Sequence, residues 1–286
     1  MDSPAVSGFK PEFHDLEPNT YLEWAFTPIP ADLNELMRSK TLSWFSLSPR
    51  ELDLFYRLKT KKRQNEWLAG RIAAKKVVLQ WVNHSAFTFF IDCPRTDSLL
   101  QDCLHSFEII NSPSGRPQAQ LNPDKRSNFN SILSLFFNDL SISHSNEWAC
   151  AALLSCQKKP SLKQSNTRDE RKHRWLQPKI GIDLEKIKLP LDSDLISIAL
   201  TEHEKAQIRT DPSLFYAIWT AKEALLKALD LGLSVDLLEL EVKLSLNQKT
   251  TAFYPSFLGQ IRWRDRLFTT QIYRILDFYV SICKNS

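Results

Sequence analysis

Two short stretches of this chain set acidic and basic side chains at spacings that could do chemistry. In Lys179-Ile180-Gly181-Ile182-Asp183-Leu184-Glu185, an extended backbone sends Ile180, Ile182 and Leu184 to one face and Asp183 and Glu185 to the other. Carboxylates so placed repel, and they are tolerated best where solvent screens them or a cation neutralises them. Taken alone, a half-buried strand with a wet acidic face is the simpler account. The second stretch, Trp219-Thr220-Ala221-Lys222-Glu223-Ala224-Leu225-Leu226-Lys227, puts Glu223 and Lys227 four residues apart on one helix face. Most such pairs only stabilise their helix, by about 0.3–0.5 kcal/mol. Packed across the Asp183 strand, however, this helix would add a third carboxylate and a lysine, a hard-oxygen set suited to Mg²⁺ with room for water and phosphates.

Weaker candidates lie upstream. His144 in Ser141-Ile142-Ser143-His144-Ser145 sits at a strand end among hydroxyls, equally suited to a structural hydrogen bond and to a phosphate contact. Arg116 in Gly115-Arg116-Pro117 is held by a turn. The run Arg57, Lys59, Lys61, Lys62, Arg63 has the look of a solvated helix face.

These residues need elements to hold them. The aromatic run Tyr21 to Thr27 predicts a strand, and Ser48-Pro49-Arg50-Glu51 predicts a helix start, with helical spacing continuing to Trp81. Ala69, Ile72, Ala73, Val77 and Trp81 form its apolar stripe. Further strands are expected over Phe87 to Ile91, Phe107 to Ile110, Leu140 to Leu154 and Lys179 to Ile187. Helices follow over Leu195 to Ile208 and Pro212 to Leu231, the latter capped by Asp211-Pro212 and closed by Gly232, with a buried stripe of Leu214, Ile218, Ala221, Leu225 and Leu229. Strands near Leu237 to Leu244, Ile261 to Leu267 and Phe278 to Cys283 complete the chain. Between the halves, residues 157–175 carry seven Lys or Arg and two acidic residues with almost no apolar side chains, which predicts a surface linker. Trp67-Leu68-Ala69-Gly70-Arg71 echoes Trp219-Thr220-Ala221-Lys222-Glu223, a register that sets Lys75 opposite Lys227 and suggests two related units.

Composition removes several classes of function. With 286 residues, 43% hydrophobic and 24% charged, the chain reads as a folded globular protein. Its six glycines are scattered, so no P-loop or GxGxxG turn can be assembled. Five cysteines without CxxC spacing argue against a disulfide framework or zinc ribbon. A net charge of +4 suits phosphates or an acidic partner but falls short of a nucleic-acid binder. The absence of a signal-like start and of a spanning apolar run predicts a cytoplasmic location without membrane contact.

In their order along roughly residues 50 to 245, Trp67 to Arg71, Gly115-Arg116-Pro117, Ser141 to Ser145, Gly181-Ile182-Asp183-Leu184-Glu185, Glu204, and Trp219-Thr220-Ala221-Lys222-Glu223-Ala224 with Lys227 resemble the 4′-phosphopantetheinyl transferases of the Sfp type. The resemblance implies an α+β fold of two pseudo-symmetric α/β halves with the site in the cleft between them, divided as 1–156, a 157–175 linker and 176–286. It implies transfer of the phosphopantetheine arm of coenzyme A to a serine of an acyl, peptidyl or aryl carrier protein, releasing adenosine 3′,5′-bisphosphate. Asp183, Glu185 and Glu223 would hold Mg²⁺, while Glu223 or a carboxylate-bound water takes the serine proton and Lys227 steadies the phosphates or assists proton transfer. Arg116 and His144 would grip the nucleotide phosphates, and Arg71, Arg63 and Lys62 would add to the 3′-phosphate or adenine site. The partners implied are coenzyme A and an apo carrier protein, with no nucleic acid and no membrane, for a chain acting as a monomer. A non-catalytic coenzyme A or carrier-binding module and a metal-dependent phosphohydrolase are the alternatives. The first fifty residues match nothing in the family, and the 157–175 segment is longer than its members need.

Overall fold

The computed structural model describes residues 20–29, 47–89, 107–121, 136–157, 178–246 and 256–285. The 157–175 linker, beyond its first residue, lies outside them, as do residues 1–19 and 30–46. The first half opens on β1 (Thr20–Pro28), followed by helices α1 (Pro49–Tyr56) and α2 (Lys61–Phe89), the small hairpin β2 (Phe107–Asn111) and β3 (Pro117–Leu121), and the hairpin β4 (Phe136–Ser145) and β5 (Trp148–Gln157). The second half runs β6 (Ile180–Lys186), α3 (Ser193–Ala199), α4 (Glu202–Gln207), α5 (Leu214–Leu229), β7 (Leu240–Leu246), β8 (Ser256–Trp263), β9 (Arg266–Ile275) and β10 (Phe278–Lys284). The sheets are β1-β5-β4 and β6-β10-β9-β8-β7, each antiparallel throughout.

Alternation along the strands explains the layering. In the first sheet Ala25, Ala151, Leu153 and Leu140 pack on Ala73, Val77 and Trp81 of α2. The opposite face, with Leu22, Trp24, Ala152 and Leu154, meets Ile180, Ile182, Leu184, Val280 and Ile282 of the second sheet. The far side of that sheet, with Val242, Ile261, Ile272 and Tyr279, is covered by Ile218, Ala221 and Leu225 of α5. Two sheets therefore face each other with a helix outside each, an α+β arrangement in which β6 is the edge strand nearest the first sheet.

Several expected elements change at their boundaries. Ser48 does cap α1, in a capping box with Glu51, but the helix ends at Tyr56 and a second begins at Lys61. That second helix continues through Phe89, so Phe87 to Phe89 are helical where a strand to Ile91 was expected, and residues 90–91 lie outside the described residues; short apolar runs do not distinguish the two by composition. Leu140 to Leu154 is not continuous but reverses at Asn146, which takes a left-handed φ of 51°. Leu195 to Ile208 divides at Leu200 and Thr201, where Thr201 caps α4. Ile261 to Leu267 spans the β8–β9 turn, in which Arg264 has φ 54°. At the end of α5 it is Asp230, with φ 61°, that takes the left-handed cap position, rather than Gly232.

The two halves share a buried anchor. Glu51, fully buried, accepts from the Ser48 amide at 2.8 Å, from Lys75 Nζ at 2.8 Å and from the Ile109 amide at 2.9 Å. Glu204, equally buried, accepts from the Thr201 amide at 2.8 Å, from Lys222 Nζ at 2.7 Å and from the Val242 amide at 2.7 Å. Each glutamate thus joins a helix start, a long helix and a strand. By role Lys75 corresponds to Lys222, which corrects the sequence register that set it opposite Lys227.

Candidate active site

Gly181 is what lets α5 reach β6. A Cβ there would lie 1.9 Å from the Ala224 carbonyl oxygen, so only glycine permits the helix backbone to sit on the strand. Asp183 follows two residues later on the same face, and α5 brings Lys227 to it: Lys227 Nζ donates to Asp183 Oδ1 at 2.7 Å and to the Ile182 carbonyl at 3.1 Å. Ser143 Oγ donates to the same Oδ1 at 2.8 Å, while Oδ2 is buried without a hydrogen-bond partner. Glu185 Oε2 accepts from Ser145 Oγ at 2.8 Å. Glu223 is half-buried with no hydrogen-bond or ion-pair partner among the described residues.

The electrostatics reflect this crowding. Burial pushes the Glu185 carboxyl up, and the Asp183 charge pushes it further, against relief from Ser145 and Lys188. Burial and Asp183 likewise raise Glu223, against the opposing pull of Lys227. For Lys227, burial disfavours the ammonium, but the charge and hydrogen bond of Asp183, with Glu223 adding, outweigh it and hold the group above its ordinary value. Asp183, Glu185 and Glu223 share one negatively charged surface partly neutralised by one lysine. Among the described residues no three His, Cys, Asp or Glu side chains are grouped so as to hold a metal ion, so Asp183, Glu185 and Glu223 do not form a ready-made ligand set. Their chemistry still fits a hard cation: the donors are oxygens, one of them buried and unpartnered, and the raised carboxyls are those a positive charge would relieve.

Beside this surface is a cavity of about 200 Å³, lined by Arg63, Glu66, Trp67, Gly70 and Arg71 from α2, Asn111, Gly115 and Pro117 around the β2–β3 turn, and Ile142 and His144 from β4. Arg71 is buried, donates to Asn111 Oδ1 at 2.9 Å and stacks on Trp67 at 4.6 Å; burial pushes its pKa down to about 10 despite the nearby Glu51 charge. His144 is exposed at its edge, yet desolvation holds its imidazole below the ordinary value, opposed by Glu66 and reinforced by Lys227 and Arg63. Three of the expected phosphate-site residues, Arg63, Arg71 and His144, are thereby brought together. Lys62 is not: its side chain is 85% exposed, with Glu66 at 3.9 Å.

Arg116 departs from expectation. Its guanidinium donates to both Asp139 oxygens, to the Lys227 carbonyl and to the Ile180 carbonyl, and it is buried behind the cavity rather than facing it. Four of the five guanidinium N–H groups are committed to protein acceptors, which leaves no free edge for a bidentate phosphate contact. In this arrangement Arg116 joins Asp139, Ile180 and Lys227 and does not line the cavity with the other expected phosphate-site residues. Sequence reading missed its partner Asp139, although a lone acid in a strand that continues into buried Leu140 and Ser141 is a signal that a buried cation or amide awaits it.

Residues 179–283 match the family model described as the 4′-phosphopantetheinyl transferase superfamily. The matched segment runs from the residue before β6 to within β10. Among solved structures, a complex titled "Chronobacterium ammoniagenes ACPS-CoA complex" is 21% identical over 49% of this chain and 98% of that chain, with a TM-score of 0.38. The Mycobacterium tuberculosis acyl carrier protein synthase is 19% identical over 48% of this chain and 96% of its own, with a TM-score of 0.33. The holo-ACP-synthase of Plasmodium yoelii is 16% identical over 50% and 100%, with a TM-score of 0.34. No curated protein matches the chain. The matched segment contains Asp183, Glu185, Glu204, Glu223 and Lys227, whereas the cavity residues Arg63, Arg71 and His144 fall before it.

Proposed function

We propose that this chain is an Sfp-type 4′-phosphopantetheinyl transferase that moves the phosphopantetheine arm of coenzyme A to a serine of an apo acyl, peptidyl or aryl carrier protein. The observation that carries the reading is the Asp183–Lys227 contact at 2.7 Å, with Asp183 Oδ2 buried and unpartnered and Glu185 and Glu223 beside it. Phosphoryl transfer asks for positioning and for neutralisation of charge on the phosphates more than for covalent chemistry. Arg63, Arg71 and His144 would bind the nucleotide end of coenzyme A in the cavity, and Lys227 would hold the pyrophosphate. Glu223, made more basic by burial and by Asp183, would take the serine proton as the oxygen attacks the phosphorus bearing the pantetheine. Adenosine 3′,5′-bisphosphate then leaves. Charge neutralisation on the pyrophosphate is the chemistry that Mg²⁺ held by Asp183, Glu185 and Glu223 would supply. The two halves, residues 1–156 and 176–286 about a basic linker, would form the cleft, in a monomer acting in the cytoplasm; among the described residues no helix is long and apolar enough to cross a membrane.

The test is incubation of the purified chain with coenzyme A, Mg²⁺ and a panel of apo carriers, with the carrier mass read by spectrometry. A carrier that gains the pantetheine arm at its serine supports the proposal. Binding without mass gain would make the chain a non-catalytic module, and release of the bisphosphate without any carrier would make it a hydrolase.

A further inference from the structure

The seam on which the Asp183–Lys227 pair depends lies between the first residue of β6 and the last turn of α5. Ile180 is pinned there on both sides: its amide donates to Asp139 Oδ2 at 2.6 Å and its carbonyl accepts from Arg116 Nη2 at 2.5 Å. The same guanidinium donates from Nη1 to the Lys227 carbonyl at 2.5 Å, within the last helical turn, where a cation is favoured and where that carbonyl otherwise accepts only a 3.2 Å bond from the Asp230 cap amide. Asp139 closes the arrangement with two bonds to Arg116. Arg116 and Asp139 side chains are each 9% exposed, so this is a desolvated pair with fixed geometry rather than a surface bridge. Arg116 also stands between Gly115 and Pro117, both of which line the cavity.

We propose that Arg116 and Asp139 are positioning residues that fix Lys227 against Asp183 and tie that register to the cavity wall formed by the β2–β3 turn. This role rests on the transferase reading for its effect on turnover, but the clamp itself is a statement about local backbone order. Among the described residues two further cations cross between β6 and α5: Lys227 itself, which is the group being positioned, and Lys179. The Lys179–Asp230 bridge spans it at 3.4 Å, with both side chains about 30% exposed (29% and 32%), and such pairs contribute little.

The experiment compares the wild-type chain with Arg116→Lys, Asp139→Asn and the control Lys179→Ala. Lysine keeps a charge near Asp139 but cannot bridge the acceptors that a planar fork reaches together. Hydrogen exchange should quicken about tenfold or more in peptides covering 179–183 and 227–231, and stay unchanged in β8 and β9. Carrier modification should lose about tenfold or more in kcat, with coenzyme A affinity by calorimetry within about twofold of wild type. Lys179→Ala should move neither. Loss of coenzyme A affinity with kcat retained would overturn the role, since Arg116 would then be gripping substrate. Unchanged exchange at the seam, or faster exchange everywhere, would overturn it as well. If the wild-type chain modifies no carrier, the functional reading fails, and the exchange pattern alone decides whether the clamp exists.

Discussion

At the scale of single residues, the proposed chemistry depends on how Asp183 divides its two oxygens. Oδ1 is committed to Lys227 and Ser143, and Oδ2 is left in a buried position with negative neighbours. Asp183→Asn removes the charge while keeping the shape, and carrier modification should fall by about a thousandfold, on the scale of losing a main electrostatic contact in a phosphoryl or acyl transfer site. Binding that favours the native state also raises its melting point. Millimolar Mg²⁺ should therefore raise the thermal midpoint of the wild type in a melting scan and leave Asp183→Asn unmoved; equal shifts in both would remove Asp183 from the cation site. His144 makes a pH prediction. Its imidazole is held below the ordinary value by desolvation, so near neutrality it is mostly uncharged, and a phosphate brought beside it would draw a proton onto it. Coenzyme A should bind with proton uptake, and with affinity that strengthens as pH falls from neutrality. Calorimetry in buffers of different ionisation heat reads the uptake, and His144→Gln should abolish it.

At the scale of elements, the close approach of α5 to β6 rests on Gly181. Alanine there would place its Cβ 1.9 Å from the Ala224 carbonyl oxygen, a contact with backbone that no rotamer can relieve. The helix must move off the strand. Gly181→Ala should cost roughly 1–3 kcal/mol in chemical denaturation, as other overpacked sites do, and reduce carrier modification by far more than the lost folded fraction explains. A variant with wild-type turnover would show that the strand–helix distance is not critical. The crossing was open to the sequence as one possibility: period-two alternation around Asp183, with Glu223 and Lys227 on one helix face, allowed the two elements to meet and the family resemblance favoured it, but nothing marked Gly181 as the point of contact. The role of Arg116 was not legible, because a Gly-Arg-Pro turn says where the backbone goes and nothing about a guanidinium whose acceptors lie 23, 64 and 111 residues away. The side chains of β4 were hidden for the same reason. Asp139, Ser141 and Ser145 accept from the Ile180, Ile182 and Lys186 amides, so they occupy the free edge of β6 where a neighbouring strand would otherwise pair.

At the scale of the whole molecule, the repeated anchor argues that the two halves are built alike beneath their different surfaces. Ser48 to Glu51 and Thr201 to Glu204 carry the same capping-box spacing, which can be read from sequence, but the lysines and strand amides that complete each anchor come from remote segments. Lys222 is fully buried and also donates to the Ala199 carbonyl at 2.7 Å and the Leu237 carbonyl at 2.9 Å, so its ammonium binds α3, α4 and the approach to β7 together. Lys222→Met would fill similar space but leave Glu204 charged and uncompensated, a loss of about 3–5 kcal/mol for a buried pair broken on one side. Adding Glu204→Gln removes the stranded charge while retaining an acceptor for one of the two amides, so the double variant should recover part of that loss in urea titrations. Were the stranded charge unimportant, the single and double variants would be equally stable. Lys75→Met should repeat the pattern in the first half, with Glu51→Gln as its rescue. Because the two anchors share no partner, losses from Lys75→Met and Lys222→Met should add to within about 0.5 kcal/mol if the molecule unfolds in one step. Two separate transitions, each moved by only one of the substitutions, would instead show that the halves are stable independently, and the cleft between them would then be free to open.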